Sequence, residues 1–347
     1  MKNNKPIIYF HIGQPKTGTS AIQSFLNFNR QVLASKYDTL YPNFDENNLS
    51  SGTHHNHFSL FTKPGVRSKN YTSNLIKQFE RCIDYSQKNG IEKIIISNEG
   101  FFWHWWPAVI KKIVDHLNVD YKIICYLRRQ DYWIESAWKQ WGHKITNLES
   151  IHDYLKTMDL DWHKALKPWS FELGHENIII RAYEKGQIES DIIKDFIGLI
   201  GIKHEADLKD APINNLNSNT GFNRDVIELL RICNGLVTNE HDHSLLDFMD
   251  QMLSDKFKNH PLKKTNGFLS PEIRTSIIQK YSESNSAIAR EYLNRDDGKL
   301  FFEPLPHNNQ NWIPHDKQTI EMVLPIIMEI MVKQQKMIKE LQKKISK

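Results

Sequence analysis

The sequence predicts an α/β fold: a parallel sheet with helices on both faces, in three layers, followed by a helical C-terminal part. Three observations carry that prediction. Apolar runs of strand length recur at residues 7–12, 93–97, 121–127 and 177–181. Segments with helical apolar spacing separate them, and strands alternating with helices build parallel sheets. Beyond residue 203 the strand-like runs stop and helix-like segments take over. The expected organisation is a single domain over 1–347, with an α/β core at 1–203 and a mostly helical part at 204–347.

The first run, Ile7-Ile8-Tyr9-Phe10-His11-Ile12, reads as a buried strand. Gly13 and Pro15 break it. Lys16-Thr17-Gly18-Thr19-Ser20 then leads into Ala21, Ile22, Phe25 and Leu26, whose spacing is helical. Free N–H groups at a helix start, together with the helix dipole, attract an anion. Lys16 adds a full positive charge there. A Walker A loop places its lysine after the second glycine, whereas Lys16 precedes Gly18, so a plain ATPase match fails. Taken alone, the loop is either an anion site or an ordinary strand-to-helix turn with solvated hydroxyls.

The rest of the core follows in order. Leu40-Tyr41-Pro42 is a short extended piece. Residues 43–66 form a long polar loop around His54-His55-Asn56-His57, and long loops in compact domains are often functional. Residues 72–88 are helical through Leu75, Ile76, Phe79 and Ile83, and Asn89-Gly90 ends them. The strand at 93–97 runs into Asn98-Glu99-Gly100 and an aromatic run containing Trp103, Trp105 and Trp106. A helix is expected over 107–117, with Pro107 tolerated in its first turn. The strand at 121–127 is followed by Arg128-Arg129-Gln130-Asp131 and a helix through Ser136. Residues 191–200 make an amphipathic helix closed by Gly201.

In the C-terminal part, helices are expected over 224–233, 245–257, 271–293 and 316–344, with Pro325 kinking or splitting the last. The apolar face of that last helix suits packing on the core or on a second subunit.

Arg128 and Ser136 make a second candidate anion site. An arginine fork holds a phosphate bidentately and a serine hydroxyl adds a directional hydrogen bond. Their position after a strand is that of a ligand crevice at the carboxyl end of a parallel sheet.

The Lys16 loop and the Arg128-x7-Ser136 motif together resemble the two halves of the nucleotide site of sulfotransferases that use 3′-phosphoadenosine 5′-phosphosulfate (PAPS). His11-Ile12-Gly13 through Ser20, Leu127-Arg128-Arg129-Gln130-Asp131 and Asp195 through Gly201 are similar to the bacterial branch of that family. So are Glu283-Ser284-Asn285-Ser286, Tyr292-Leu293 and Gly298-Lys299-Leu300-Phe301. The resemblance spans most of the chain and implies a P-loop-like fold with a nucleotide-binding core. It implies that Lys16, Thr17, Gly18, Thr19 and Ser20 grip the 5′-phosphosulfate, and that Arg128 and Ser136 grip the 3′-phosphate. One departure is Ala21, where eukaryotic cytosolic members carry an adenine-stacking tryptophan.

The implied reaction moves a sulfuryl group from PAPS to a hydroxyl or amine of a carbohydrate or glycoconjugate, with no metal required. Lys16 would stabilise charge on the leaving phosphate. A base must take the acceptor proton. Family members use histidine or glutamate, which makes Glu99 and His55 level candidates, followed by His57 and His54. His57 and Trp103 are the candidate acceptor contacts, because an aromatic ring stacks on a sugar face. The histidine cluster lacks partners that would complete a metal-ligand set.

Composition sets the outer bounds. A formal net charge of +4 over 347 residues does not call for nucleic acid. The 3 cysteines are far apart, without disulfide or zinc spacing, which fits a reducing compartment. No signal peptide or membrane-spanning run is visible, so a cytoplasmic protein is expected, with oligomerisation through the C-terminal helix open. Two other readings remain: a P-loop nucleotide kinase or NTPase, and an inactive nucleotide- or sugar-binding module. The first needs an acidic magnesium ligand at a strand end, and Asp131 lies too far into the arginine motif to serve.

Overall fold

The strands Ile7–His11 (β1), Thr39–Leu40 (β2), Lys93–Ser97 (β3), Tyr121–Leu127 (β4) and Ile178–Ala182 (β5) form one sheet in the order β2-β3-β1-β4-β5, and every pairing is parallel. They belong to a computed structural model that describes residues 5–51, 70–102, 105–142, 150–188, 191–203, 206–210, 222–233, 244–253, 267–306, 312 and 320–345. The helices are Thr19–Phe28 (α1), Arg30–Lys36 (α2), Tyr71–Asn89 (α3), Trp106–Leu117 (α4), Gln130–Trp141 (α5), Ile151–Thr157 (α6) and Trp162–Leu173 (α7). Ile192–Leu199 (α8), Arg224–Ile232 (α9), Ser244–Met252 (α10), Pro271–Lys280 (α11), Ser282–Leu293 (α12) and Ile320–Ile345 (α13) follow.

The chain groups into two compact units. The first is Met1–Arg129, Leu160–Pro212 and Tyr281–Glu303; the second is Gln130–Asp159, Ile213–Lys280 and Pro304–Lys347.

The first unit holds the sheet. Its strands are isoleucine-rich because both faces are covered, the pattern of a parallel sheet. Successive residues point to opposite faces. On one face Ile95, Ile124 and Tyr126 pack under Ile22, Phe25 and Leu26 of α1, Leu33 of α2, and Phe196 and Ile197 of α8. On the other, Phe10 meets Phe79 of α3 at 5.9 Å and Phe101 at 6.3 Å, and Phe101 meets Trp106 of α4 at 5.1 Å. The three-layer α/β/α arrangement read from the sequence is therefore the one observed. β1 lies at the centre, with Phe10 level with Ile96 of β3 and Ile123 of β4.

The family-like segments late in this unit have structural work. Buried Asp195 accepts from Tyr126 at 2.6 Å and from Arg181 Nε at 3.1 Å, fixing α8 to β4 and β5. Ser284 donates to Asp161 at 2.7 Å and accepts from the His163 N–H at 3.1 Å. The Glu184 carboxylate accepts the N–H groups of Phe302 and Glu303 at 2.7 and 2.8 Å.

In the second unit, α5 and α11 are joined by Arg274, which pairs with Asp131 at 3.2 Å and with Glu135. Burial alone would raise the Glu135 carboxyl, but Arg274 and Lys139 hold it below the usual carboxylate range. α13 packs on α9 and α10.

Several boundaries differ from the sequence expectation. The single helix expected over 271–293 is two, because the chain leaves helical geometry at Tyr281 (φ −104°, ψ 14°). The buried Tyr281 side chain is held there, its hydroxyl accepting the Leu160 N–H at 3.3 Å. Pro325 does not split the last helix. It sits in the second turn, where few intrahelical bonds lie upstream to be lost. The helices α2, α6 and α7 go beyond those expected. Among the described residues, no helix is long and apolar enough to cross a membrane. All 3 cysteines are free, with Cys82 and Cys125 buried.

Candidate active site

Three neighbouring parallel strands, β3, β1 and β4, end in Glu99, the Lys16 loop and Arg128 respectively. The chain leaves β1 toward the β2 edge and leaves β4 the opposite way toward β5, so the carboxyl ends of β1 and β4 flank a topological switch point, where α/β proteins bind ligands.

The loop after β1 is held open by its backbone. Lys16 has φ 70° and Gly18 φ 81°, both left-handed. Lysine in that region is strained, and such strain gathers at functional sites. Gly18 is also the N-cap of α1, its carbonyl taking the Ala21 and Ile22 N–H groups at 3.0 and 3.1 Å. Among the described residues no side chain caps this helix, and no acidic residue lies in its first turn, so its positive end is left for an anion. The three hydroxyls differ. Thr17 Oγ1 donates to the Gln14 carbonyl at 2.6 Å and closes the turn. Thr19 is buried against Glu99, and Ser20 is exposed.

Gln14 links this loop to the next. Its side-chain oxygen accepts the Arg128 N–H at 2.9 Å, while Arg128 Nη1 donates to the Lys16 carbonyl at 3.0 Å. The Arg128 guanidinium lies over the Tyr183 ring at 5.7 Å, and the Arg128 carbonyl accepts from Trp162 Nε1 at 3.0 Å. Both cationic residues predicted to hold phosphates therefore share one structure.

Glu99 opens a 3₁₀ turn, Glu99–Phe102, capped by Asn98 Oδ1 accepting the Gly100 N–H at 2.7 Å. Asn98 does the capping, which leaves Glu99 for other work. Burial pushes the Glu99 carboxyl up from its ordinary value; the Lys16 ammonium and the Thr19 hydroxyl pull it part of the way back. Burial pushes Lys16 down, Arg128 repels it further and Glu99 offsets part of this. The carboxyl and the ammonium thus sit within each other's field, between two strand ends.

A polar network absent from the sequence reading lies beneath the loop. His11 Nδ1 shares a hydrogen bond with Ser97 Oγ at 2.8 Å, and Gln23 Nε2 donates to the same oxygen at 3.1 Å. Burial pushes His11 down to about 3, so it stays neutral at physiological pH and supports the site without carrying charge. A Cβ on Gly13 would stand 2.6 Å from Thr19 Oγ1 and 3.0 Å from His11 Nε2, so only glycine lets β1 turn this close to α1. Gly13 was legible as a breaker; its contact with Thr19 and His11 was not.

Ser136 lies half-buried on α5, in the second unit. His54, His55, His57 and Trp103 lie outside the described residues. Of the other two tryptophans, Trp106 is core and Trp105 is 46% exposed. Among the described residues, no group of three or more His, Cys, Asp and Glu stands ready to hold a metal ion. Asp131 is paired with Arg274.

No protein-family model matches this chain. It is 27% identical over 255 residues to an uncharacterized protein of Archaeoglobus fulgidus, covering 71% of this chain and 68% of that protein. Among solved structures it is similar to a sulfotransferase from Alicyclobacillus acidocaldarius, with a TM-score of 0.38 and 14% identity over 84% of this chain and 97% of the other. At that TM-score the functional reading rests on the residues of this chain.

Proposed function

We propose that the chain is a PAPS-dependent sulfotransferase acting on a hydroxyl or amine of a carbohydrate or glycoconjugate. The observation that carries this reading is the convergence of Lys16, Glu99 and Arg128 at the carboxyl ends of three adjacent parallel strands. The donor supplies a sulfuryl group, whose transfer breaks its S–O bond to the 5′-phosphate and leaves 3′-phosphoadenosine 5′-phosphate (PAP).

The residues present suit such a donor. The uncapped start of α1 and the left-handed backbone at Lys16 and Gly18 form a cradle for a 5′-phosphate. Lys16 places its charge where negative charge grows as the phosphate departs. Arg128 holds the 3′-phosphate, the role that its sequence motif with Ser136 implies. Glu99 takes the acceptor proton; its raised carboxyl makes it a better base than an ordinary surface glutamate. His55 is the second candidate base. Trp105, exposed just after the Glu99 turn, and Trp103 and His57 are candidates for the acceptor's sugar rings. Cytoplasmic placement suits the free thiols.

The test is turnover with labelled PAPS and a panel of saccharide acceptors, followed as sulfated product and PAP. Lys16→Ala should cut the rate about 100- to 1,000-fold, the scale of losing one preorganised electrostatic group. Its circular dichroism should match the parent. Undiminished transfer by Lys16→Ala would remove Lys16 from the mechanism.

A further inference from the structure

Five apolar residues of α13 face outward. Leu324, Ile327, Met331, Ile338 and Leu341 are each at least 40% exposed. Near its start Ile326 is fully buried and the helix packs on α9 and α10. From Met331 to Gln342 every side chain is exposed. A helical stretch with so little packed against it is marginal in water, because helices draw most of their stability from tertiary packing. This stretch needs a partner along its apolar stripe.

The stripe says which. Leu324, Ile327, Met331, Ile338 and Leu341 occupy alternating a and d positions of a heptad, and Gln334 takes the remaining d. Their spacing averages about 3.5 residues, the repeat of a coiled-coil seam, and Met328, Ile330 and Met337 widen the apolar surface beside it. Such a seam is complementary to its own copy. The flanking e and g positions are Met328, Gln335 and Gln342 on one side and Ile330 and Met337 on the other. Apart from Lys344 at the last g position no flanking residue is charged, so little there repels a second copy or selects a partner of opposite charge. Lys333, Lys336 and Lys339 lie on the outer positions. Residues 320–345 contain no aromatic side chain, unlike the helices that lie in a membrane interface. Gln334 supplies the single polar group that such seams use to fix register.

We propose that α13 is a dimerisation helix, pairing along the Leu324–Leu341 seam with α13 of a second copy of this chain. The full chain is tested by sedimentation equilibrium over a range of concentrations. Expected is a mass twice that of the monomer, reverting to the monomer in Met331→Glu/Ile338→Glu. Both substitutions are on exposed positions, so the thermal midpoint of the sheet unit and sulfate transfer should not change. Lys336→Glu, on the outer side, should stay dimeric. A wild-type chain that is monomeric at every concentration would overturn the proposal, as would a dimer indifferent to the double substitution. Monomeric wild type that cosediments with phosphatidylserine vesicles, with the double variant failing to do so, would overturn it in favour of a membrane surface.

Discussion

Arg128 Nη1 donates to the Lys16 carbonyl at 3.0 Å, so the cation that follows β4 is tied to the loop that follows β1. A ligand with phosphates at two ends would find both grips already set with respect to each other. Arg128→Ala should therefore weaken PAP binding by roughly 10- to 100-fold, corresponding to about 1.5–3 kcal/mol for a hydrogen bond to a charged group. Calorimetry would show the affinity for PAP falling toward that for ADP. Unchanged PAP binding in Arg128→Ala would place the 3′-phosphate elsewhere.

Glu99 carries a pH signature. Burial raises its carboxyl, so the base is lost to protonation at a pH above the ordinary glutamate value of about 4.3. The acid limb of the rate profile should have its midpoint there, and Glu99→Gln should remove that limb and slow turnover about 100- to 10,000-fold. The sign for stability is opposite. A raised carboxyl means the folded chain holds this proton more tightly than the unfolded one. The associated stability is present below the unfolded value and lost as pH rises through the folded one. At neutral pH Glu99 thus costs stability, and Glu99→Gln should melt higher than the parent. An acid limb that survives in Glu99→Gln and disappears in His55→Ala would transfer the role of base to His55.

Gly13→Ala tests the close approach of β1 to α1. The added methyl would meet Thr19 Oγ1 and His11 Nε2, both buried, at 2.6 and 3.0 Å. Overpacking of this kind costs about 1–3 kcal/mol. A lower melting temperature and weaker PAP binding should appear together, because the displaced Thr19 opens α1. A variant that melts and binds like the parent would show that the loop has slack there.

Local pattern made much of this architecture legible. Lys16, Glu99 and Arg128 each follow an apolar run of strand length, and that alone puts them at one edge of a parallel sheet. What stayed hidden depends on contacts between distant segments. The His11–Ser97–Gln23 network joins β1, β3 and α1, and no residue in it announces its partners. The break at Tyr281 arises from a hydroxyl that reaches back to Leu160. α7 did leave a sign: Trp162, Leu166, Trp169 and Leu173 fall on one helical face and all are buried, with Asp161 accepting the Lys164 N–H as N-cap. In α13 the apolar spacing was visible, but only the structure shows that the stripe faces outward rather than into the core.

The most direct test of the central claim is calorimetry of the full chain with PAP, ADP and ATP, each without and with magnesium. Metal-independent binding of PAP, tighter than that of either ADP or ATP, is expected. Equal binding of ADP and PAP, or binding that requires magnesium, would contradict it.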